Sequence, residues 1–346
     1  MKKILVTGGT GYIGSHTAVE LINSGFEVVI IDNLSNSRED VLDGIEKITD
    51  TRPAFENFDI CDFGKLNAFF QKYEDIQAII HFAASKAVGE SVEKPLLYYR
   101  NNLQSLINIL ELMPKHNIDN LAFSSSCTVY GQPEKLPVTE DSPILPAESP
   151  YGNTKQICEE IICDTLKSQT QRHAISLRYF NPVGAHASAF IGELPLGVPN
   201  NLVPFITQTA AGIRKQISVF GSDYHTPDGM AVRDYIHVVD LAKAHVVAVK
   251  RMIDKKQKSN YELFNLGTGK GYSVMEVIKA FEASTGEKLN YKLVDRRAGD
   301  IEKVWADTAF ANEELGWTAE LDINDMMASA WKWQQYLMAN KEKYAS

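Results

Sequence analysis

The sequence predicts an α/β fold: a doubly wound parallel sheet with a smaller mixed α/β domain behind it. Short β-branched runs alternate with amphipathic stretches through the first half, a glycine-rich turn joins the first run to the first helix, and the texture changes after Asn181-Pro182. Strands alternating with helices imply parallel strands covered on both faces by the helices that connect them.

Residues 3–6 read as the first strand, 12–23 as the first helix with Gly25 as its stop, and 27–31 as the second strand. Residues 76–82 and 121–123 are further buried strands, with helical periods at 63–73 and 95–116 between them. A helix begins near Tyr151, and residues 174–178 form the strand after it. Residues 184–201 are rich in Gly, Pro and Asn and read as a long loop, often a binding loop in compact enzymes. Helices are expected at 202–212 and 273–285, strands at 263–266 and 289–293, and an exposed polar loop at 254–260. The expected division is a dinucleotide-binding domain of the Rossmann kind at 1–180 and a substrate domain at 181–346, with a segment near 233–250 returning to the first.

The 346 residues are 44% hydrophobic, enough for a full core in two domains of ordinary size. A net charge of −9 and a pI near 5.5 give no electrostatic reason to bind nucleic acid. The cysteines, Cys61, Cys127, Cys158 and Cys163, lie at neither Cys-x-x-Cys nor zinc-ligand spacing and read as reduced thiols. The basic opening is followed by an apolar run that ends at Thr7-Gly8, short of the roughly 7–15 residues of a signal peptide core. No apolar stretch approaches the roughly 20 residues of a membrane span. The expectation is a cytoplasmic protein with neither membrane, nucleic acid nor metal as partner.

Thr7-Gly8-Gly9-Thr10-Gly11-Tyr12-Ile13-Gly14 places Gly8, Gly11 and Gly14 at three-residue spacing between strand and helix. One glycine permits the turn, one admits a pyrophosphate to the backbone, and one lets helix and strand pack closely. The helix N-terminus then offers N–H groups and its positive dipole end to the anion. Asp32, ending the next strand, can accept both hydroxyls of an adenosine ribose and would repel a 2′-phosphate, which favours NAD over NADP. A bare turn-forming aspartate is the alternative, weakened here by the glycine context.

Ser149 and Pro150 suit the cap and first position of a helix. Tyr151 and Lys155 follow, four residues apart and so on one face. Tyrosine is a poor base near its ordinary pKa of about 10, and a neighbouring ammonium, or a cationic nicotinamide, favours the phenolate. The pair thus makes chemical sense as a base beside NAD. Alone, a tyrosine and a lysine at this spacing are ordinary helix surface. The partner segment, Ser124-Ser125-Ser126-Cys127-Thr128, changes that, because it puts hydroxyls at the carboxyl end of a buried strand, where doubly wound sheets bind ligands. Ser126 is placed to share a proton with Tyr151 and a substrate hydroxyl. Cys127 has no activating histidine close in sequence and reads as packing.

Glycine turn, serine run and Tyr-x-x-x-Lys, in this order, resemble the extended short-chain dehydrogenase/reductases, and more closely the UDP-glucose 4-epimerase family. Further segments carry the resemblance: residues 12–17 (Tyr-Ile-Gly-Ser-His-Thr), 86–91 (Lys-Ala-Val-Gly-Glu-Ser), 178–185 (Arg-Tyr-Phe-Asn-Pro-Val-Gly-Ala), 232–238 (Val-Arg-Asp-Tyr-Ile-His-Val) and 296–307. The resemblance implies Tyr151 as base, Lys155 as the group that tunes it and holds the nicotinamide ribose, and Ser126 as proton relay. It implies a cofactor site of Gly8, Gly11, Tyr12, Ile13, Gly14, Asp32, Asn33, Asp59, Ile60, Phe82, Ala83, Lys86, Asn101 and Phe180. It implies a UDP-sugar site of Tyr179, Asn181, Asn200, Asn201, Leu202, Phe220, Arg233, Arg297, Asp300 and Val304, and a homodimer packed through residues 95–116 and 149–167. A diphosphate needs compensating cations, and arginine supplies bidentate forks. Where relatives often carry a Gly-Leu pair before the lysine, this chain has Ala83-Ala84-Ser85-Lys86.

The implied function is a UDP-glucose/UDP-galactose 4-epimerase of galactose and nucleotide-sugar metabolism, an isomerase. Val304 stands by spacing at a gate position of the family where small residues accompany acceptance of N-acetylated sugars. An epimerase for UDP-glucuronate or UDP-pentoses is the runner-up. A 4,6-dehydratase would carry Asp-Glu where Cys127-Thr128 stand, and a non-catalytic NAD-sensing module would not need Ser126, Tyr151 and Lys155 together.

Overall fold

A computed structural model describes residues 1–296 and 301–344. In chain order the first half runs β1 (Lys3–Thr7), α1 (Tyr12–Asn23), β2 (Glu27–Asp32), α2 (Val41–Thr49), β3 (Ala54–Asn57), α3 (Phe63–Lys72), β4 (Ile76–His81), α4 (Val88–Glu93), α5 (Pro95–Leu112), β5 (Asn120–Ser126), α6 (Pro150–Ser168) and β6 (His173–Tyr179). The second half runs β7 (Asn181–Val183), α7 (Leu202–Ala210), β8 (Ile217–Phe220), β9 (Val232–His237), α8 (Val238–Ile253), β10 (Tyr261–Leu266), β11 (Gly271–Ser273), α9 (Val274–Thr285), β12 (Tyr291–Val294), β13 (Lys303–Val304), α10 (Ile323–Ala339) and α11 (Lys341–Tyr344).

Seven parallel strands form the main sheet in the order β10-β6-β5-β4-β1-β2-β3. The chain winds outward from β1 to β3, returns to β4, and winds the other way. That reversal leaves a crevice at the carboxyl ends of β1 and β4, the usual ligand position in such sheets. The central strands bury both faces: Ile4, Leu5, Val6, Val29, Ile30, Ile79 and Ile80 are inaccessible to solvent. Each such side chain stabilises the fold by roughly 1.5–3 kcal/mol relative to exposure. One face packs under α1 and α8, the other under α3, α5 and α6.

The expected long elements are present, with ends shifted by a few residues. The strand expected at 121–123 extends to Ser126, and that expected at 289–293 starts at Tyr291, where it pairs with β8 at an edge. Sequence reading passed over α2, β3, β8, β9, α8 and α10. Strands β3, β8 and β9 are only four to six residues long, and tertiary pairing decides them. Residues 184–201 carry no helix or strand, only a bridge between Ala185 and Gly192.

Beyond β6 a second core gathers Ile206, Val219, Phe281, Met326, Met327 and Trp331, beneath α7, α9 and α10. Capping boxes start α9 (Ser273 with Glu276) and α10 (Asp322 with Asp325). Strand β9 pairs with β7, β11 and β13 in the second lobe, whereas α8, directly after it, packs on α1, and β10 completes the main sheet. Among the described residues no helix is long and apolar enough to cross a membrane.

Candidate active site

Gly8 takes φ +70°, and a Cβ on it would lie 2.8 Å from Ala83 N; one on Gly14 would lie 2.3 Å from Gly8 O. Both contacts require glycine, so strand, turn and helix meet backbone to backbone. Gly11 caps α1 without a side chain, which leaves the first-turn N–H groups, those of Tyr12, Ile13 and Gly14, facing outward with the positive helix end. Asp32 Oδ1 accepts from Leu34 N at 2.9 Å and Ser37 Oγ at 3.1 Å, and Oδ2 from Thr10 N at 3.3 Å, so the carboxylate is fixed beside the turn. Asn33 Nδ2 donates to Asp59 Oδ2 at 3.3 Å, which brings together two of the expected adenosine residues. The Ile60 side chain is core and its carbonyl accepts from Asn108 Nδ2 at 2.9 Å, which fixes the backbone beside Asp59.

At the end of β4, Phe82 N donates to Thr7 O at 3.1 Å, and the Phe82 ring lies 4.7 Å from that of His245. Ala83 lies directly over Gly8. Asn101 Nδ2 donates to Ser85 Oγ at 3.1 Å. Its neighbour Asn102, missed in the sequence, bonds both backbone groups of Ser85 and donates to Thr154 Oγ1 at 3.0 Å, tying the β4 loop to α6. Lys86 Nζ reaches Glu193 Oε1 at 3.9 Å, from the long loop.

Ser149 Oγ accepts from Gly152 N at 3.1 Å and starts α6 as expected, with Pro150 in the first position. This sets the face on which Tyr151 and Lys155 meet β5. Tyr151 is buried and hydrogen-bonds with Ser126. Lys155 Nζ donates to Ser124 O at 2.6 Å and lies 5.9 Å from the Tyr151 ring centre. Burial pushes the Tyr151 phenol far above its usual range, Tyr179 adds to that, and the Ser126 hydrogen bond only partly opposes it. Burial also lowers the Lys155 ammonium, to about 8, which leaves it cationic at neutral pH beside the phenol. Lys155 also lies close enough to His81 to help lower its imidazole to about 3, after burial, and His81 Nδ1 is 2.8 Å from Thr7 Oγ1. The Tyr-Lys pair therefore adjoins the glycine turn. Burial raises Cys127 to about 12, which suits packing and not attack.

Beneath the serines lies a buried ionic network that sequence reading missed. Glu159, one turn beyond Lys155, accepts from Ser125 Oγ at 2.5 Å and from Arg178 Nη2 at 2.6 Å. Arg178 Nη1 donates to the Tyr130 hydroxyl at 3.0 Å. A glutamate four residues past the lysine and an arginine in a buried strand were the available signal.

The expected substrate residues converge less tightly. Tyr179 is buried, its hydroxyl bonded to Ser124 Oγ. Phe180 and Val304 share a small buried cluster with Tyr130 and Val138, and Cys127 packs against it. Val304 pairs with Arg233 across β13 and β9, and Asn181 pairs with Tyr235. Arg233 also acts electrostatically on Cys127, so β9 faces the serine run. Asn201 Nδ2 donates to Glu193 Oε1 at 2.6 Å, while Asn200 is exposed and Leu202 packs on the second core. Phe220 ends β8 next to a cavity of about 420 Å³ lined by Gly221, Asp223, Leu293 and Arg296. A larger one of about 620 Å³ runs from Gln132 and Leu136 to Tyr224, Arg296 and Trp305. Arg297 and Asp300 lie outside the described residues.

Comparison with known proteins bears on this arrangement. Residues 5–330 match the family profile described as GDP-mannose 4,6 dehydratase. The chain is 50% identical over 331 residues to the UDP-glucose 4-epimerase of Bacillus subtilis, covering 96% of both chains. It superimposes with a TM-score of 0.94 at 46% identity on that of Stenotrophomonas maltophila, bound to NAD and a formylated UDP-arabinopyranose, covering 98% of this chain and 100% of the other. With that of Bifidobacterium longum, in complex with NAD+ and UDP, the TM-score is 0.92 at 47% identity, covering 96% and 98%. Glycine turn, serine strand end and Tyr-Lys helix, carried on a full-length match of this strength, place the chain in the UDP-glucose 4-epimerase family of the extended short-chain dehydrogenase/reductases.

Proposed function

We propose that this chain interconverts UDP-glucose and UDP-galactose through a transient 4-keto sugar, with NAD held throughout the cycle. One observation carries the reading: Ser126, Tyr151 and Lys155 meet at the carboxyl end of β5, beside a glycine turn shaped for a dinucleotide. The residues fit NAD. The uncapped α1 N-terminus suits its pyrophosphate, and the fixed carboxylate of Asp32 suits a ribose with a free 2′-hydroxyl. When bound, NAD supplies a reversible hydride acceptor and a positive charge beside the phenol.

Tyr151 takes the proton of the sugar 4-hydroxyl, directly or through Ser126, and returns it after the keto sugar has turned over. Lys155 holds the nicotinamide ribose and favours the phenolate. Arg233, Asn201 and Phe220, with Arg297 and Asp300, anchor UDP and leave the sugar free to rotate. In the same reading residues 1–180 bind cofactor and residues 181–346 bind substrate. The protein works in the cytoplasm as a homodimer through α5 and α6, where Leu96 and Leu97 are exposed. Purified protein given UDP-galactose without added NAD should form UDP-glucose; no product after reconstitution with NAD would overturn the reading.

Val304 favours a wider substrate range, since a small side chain stands beside Phe180 where the gate is expected. Activity on UDP-N-acetylglucosamine follows, and its absence would remove this part.

A further inference from the structure

Glu193 is the residue that joins the two halves of the site. Its carboxylate is only 13% exposed, and burial raises its pKa against the pull of Lys86 and Asn201. A single oxygen, Oε1, accepts from Asn201 Nδ2 at 2.6 Å and lies 3.9 Å from Lys86 Nζ. The same charge also raises the Tyr12 phenol, second to burial. Its contacts therefore reach Lys86, expected on the cofactor side, and Asn201, expected on the substrate side, and its charge is felt at Tyr12. An anion here works against two incoming diphosphates unless it is needed to hold something.

The backbone around Glu193 is fixed independently. Trp333 Nε1 donates to Glu193 O at 2.9 Å, and a Cβ on Gly192 would lie 2.5 Å from the Trp333 ring. Upstream, Tyr12 Oη donates to Gly184 O at 2.6 Å. The loop is thus pinned to α1 at one point and to α10 at another, and Glu193 projects from the second anchor toward the site.

We propose that Glu193 is a positioning residue: it orients the Asn201 amide for the UDP-sugar and restrains Lys86 at the cofactor, coupling the two binding halves. The inference rests on the epimerase reading, and its test separates the two. UDP is titrated into NAD-loaded parent, Glu193→Ala and Glu193→Gln proteins, and steady-state kinetics on UDP-galactose are measured beside the thermal midpoint. Glu193→Gln keeps an acceptor for Asn201 and loses the charge on Lys86. Expected in Glu193→Ala is a rise of about tenfold in the UDP Kd and in KM. Glu193→Gln should keep Kd within about twofold of the parent, and kcat should fall in both variants through the loss of the charge on Lys86. In the double variant with Asn201→Ala the Kd should rise little beyond that of either single variant. Unchanged Kd in Glu193→Ala overturns the inference, as does full additivity with Asn201→Ala or a fall in thermal midpoint alone. A parent that binds UDP in this Glu193-dependent way but forms no UDP-glucose would instead overturn the epimerase reading.

Discussion

At the cofactor end of the site, backbone meets backbone: Gly8 against Ala83, Gly14 against Gly8, and Asp32 held by Thr10 and Leu34. At the proposed substrate end, Phe220, Arg233, Asn201 and Val304 arrive from β8, β9, a long loop and a two-residue strand; strand pairing holds Phe220, Arg233 and Val304, and the Glu193 side chain holds Asn201. The first end is rigid because main-chain geometry leaves no alternative. The second is assembled from elements far apart in sequence and can tolerate a sugar that turns. In the proposed cycle, a cofactor kept throughout and a substrate gripped by its nucleotide would suit this asymmetry. The Tyr151–Lys155 pair proposed as catalytic differs from both ends, since both groups are buried and burial holds the phenol protonated.

The sharpest way to break this comparison is at the pair itself. Tyr151→Phe should lower turnover by about a thousandfold, with thermal midpoint and bound NAD unchanged; near-parent turnover would take Tyr151 out of the base role. Arg178→Met should come next, since it leaves Glu159 buried without its partner beneath the serines. Denaturant unfolding should show a loss of about 3–5 kcal/mol, and a loss below 1 kcal/mol would mean the network is incidental.

Gly14→Ala tests the rigid end. The added methyl has nowhere to go against Gly8 O, so stability should fall by about 1–3 kcal/mol and the protein should purify with less NAD. Full NAD content at parent stability would show that the turn is less constrained than drawn. An acid titration reads the junction between the halves. Burial lowers His16 and His81 to about 3, and His237 and His245 to about 4. The unfolded chain takes up protons at these imidazoles below the ordinary 6.5 that the fold refuses, so stability declines as pH falls. Glu193 and Asp234, raised by burial, oppose this at the acid end, so the steepest decline should lie near pH 6. A thermal midpoint flat from neutrality down through that range would contradict the buried neutral imidazoles. Smallest on UDP-galactose is Val304→Tyr, which should leave that rate within a few-fold and suppress only N-acetylated substrates.

The same asymmetry governs what could be read in the sequence. Gly8, Gly11, Gly14 and Asp32 are legible because local backbone geometry dictates residue type at fixed spacing. Tyr151 and Lys155 are legible because one helical turn brings them together, and Ser149-Pro150 marks where that helix starts. Glu193, Asn102 and the Glu159–Arg178 pair were not, because their partners lie 8 to 52 residues away and only the folded chain brings them together. The burial of the Tyr151 environment was hidden for a related reason. Spacing shows that an ammonium is near, but only the packed structure shows that burial lowers the ammonium as well as raising the phenol.

That last point gives the most direct test. The difference in phenolate absorbance between parent and Tyr151→Phe isolates the ionisation of one tyrosine, and it can be titrated in protein stripped of cofactor and in protein reloaded with NAD. The prediction is ionisation above pH 10 in the stripped protein and a shift of several pH units toward neutrality once NAD is bound. Ionisation at the same pH in both, or near neutrality without NAD, would contradict a base that the fold holds protonated until the cofactor's charge arrives.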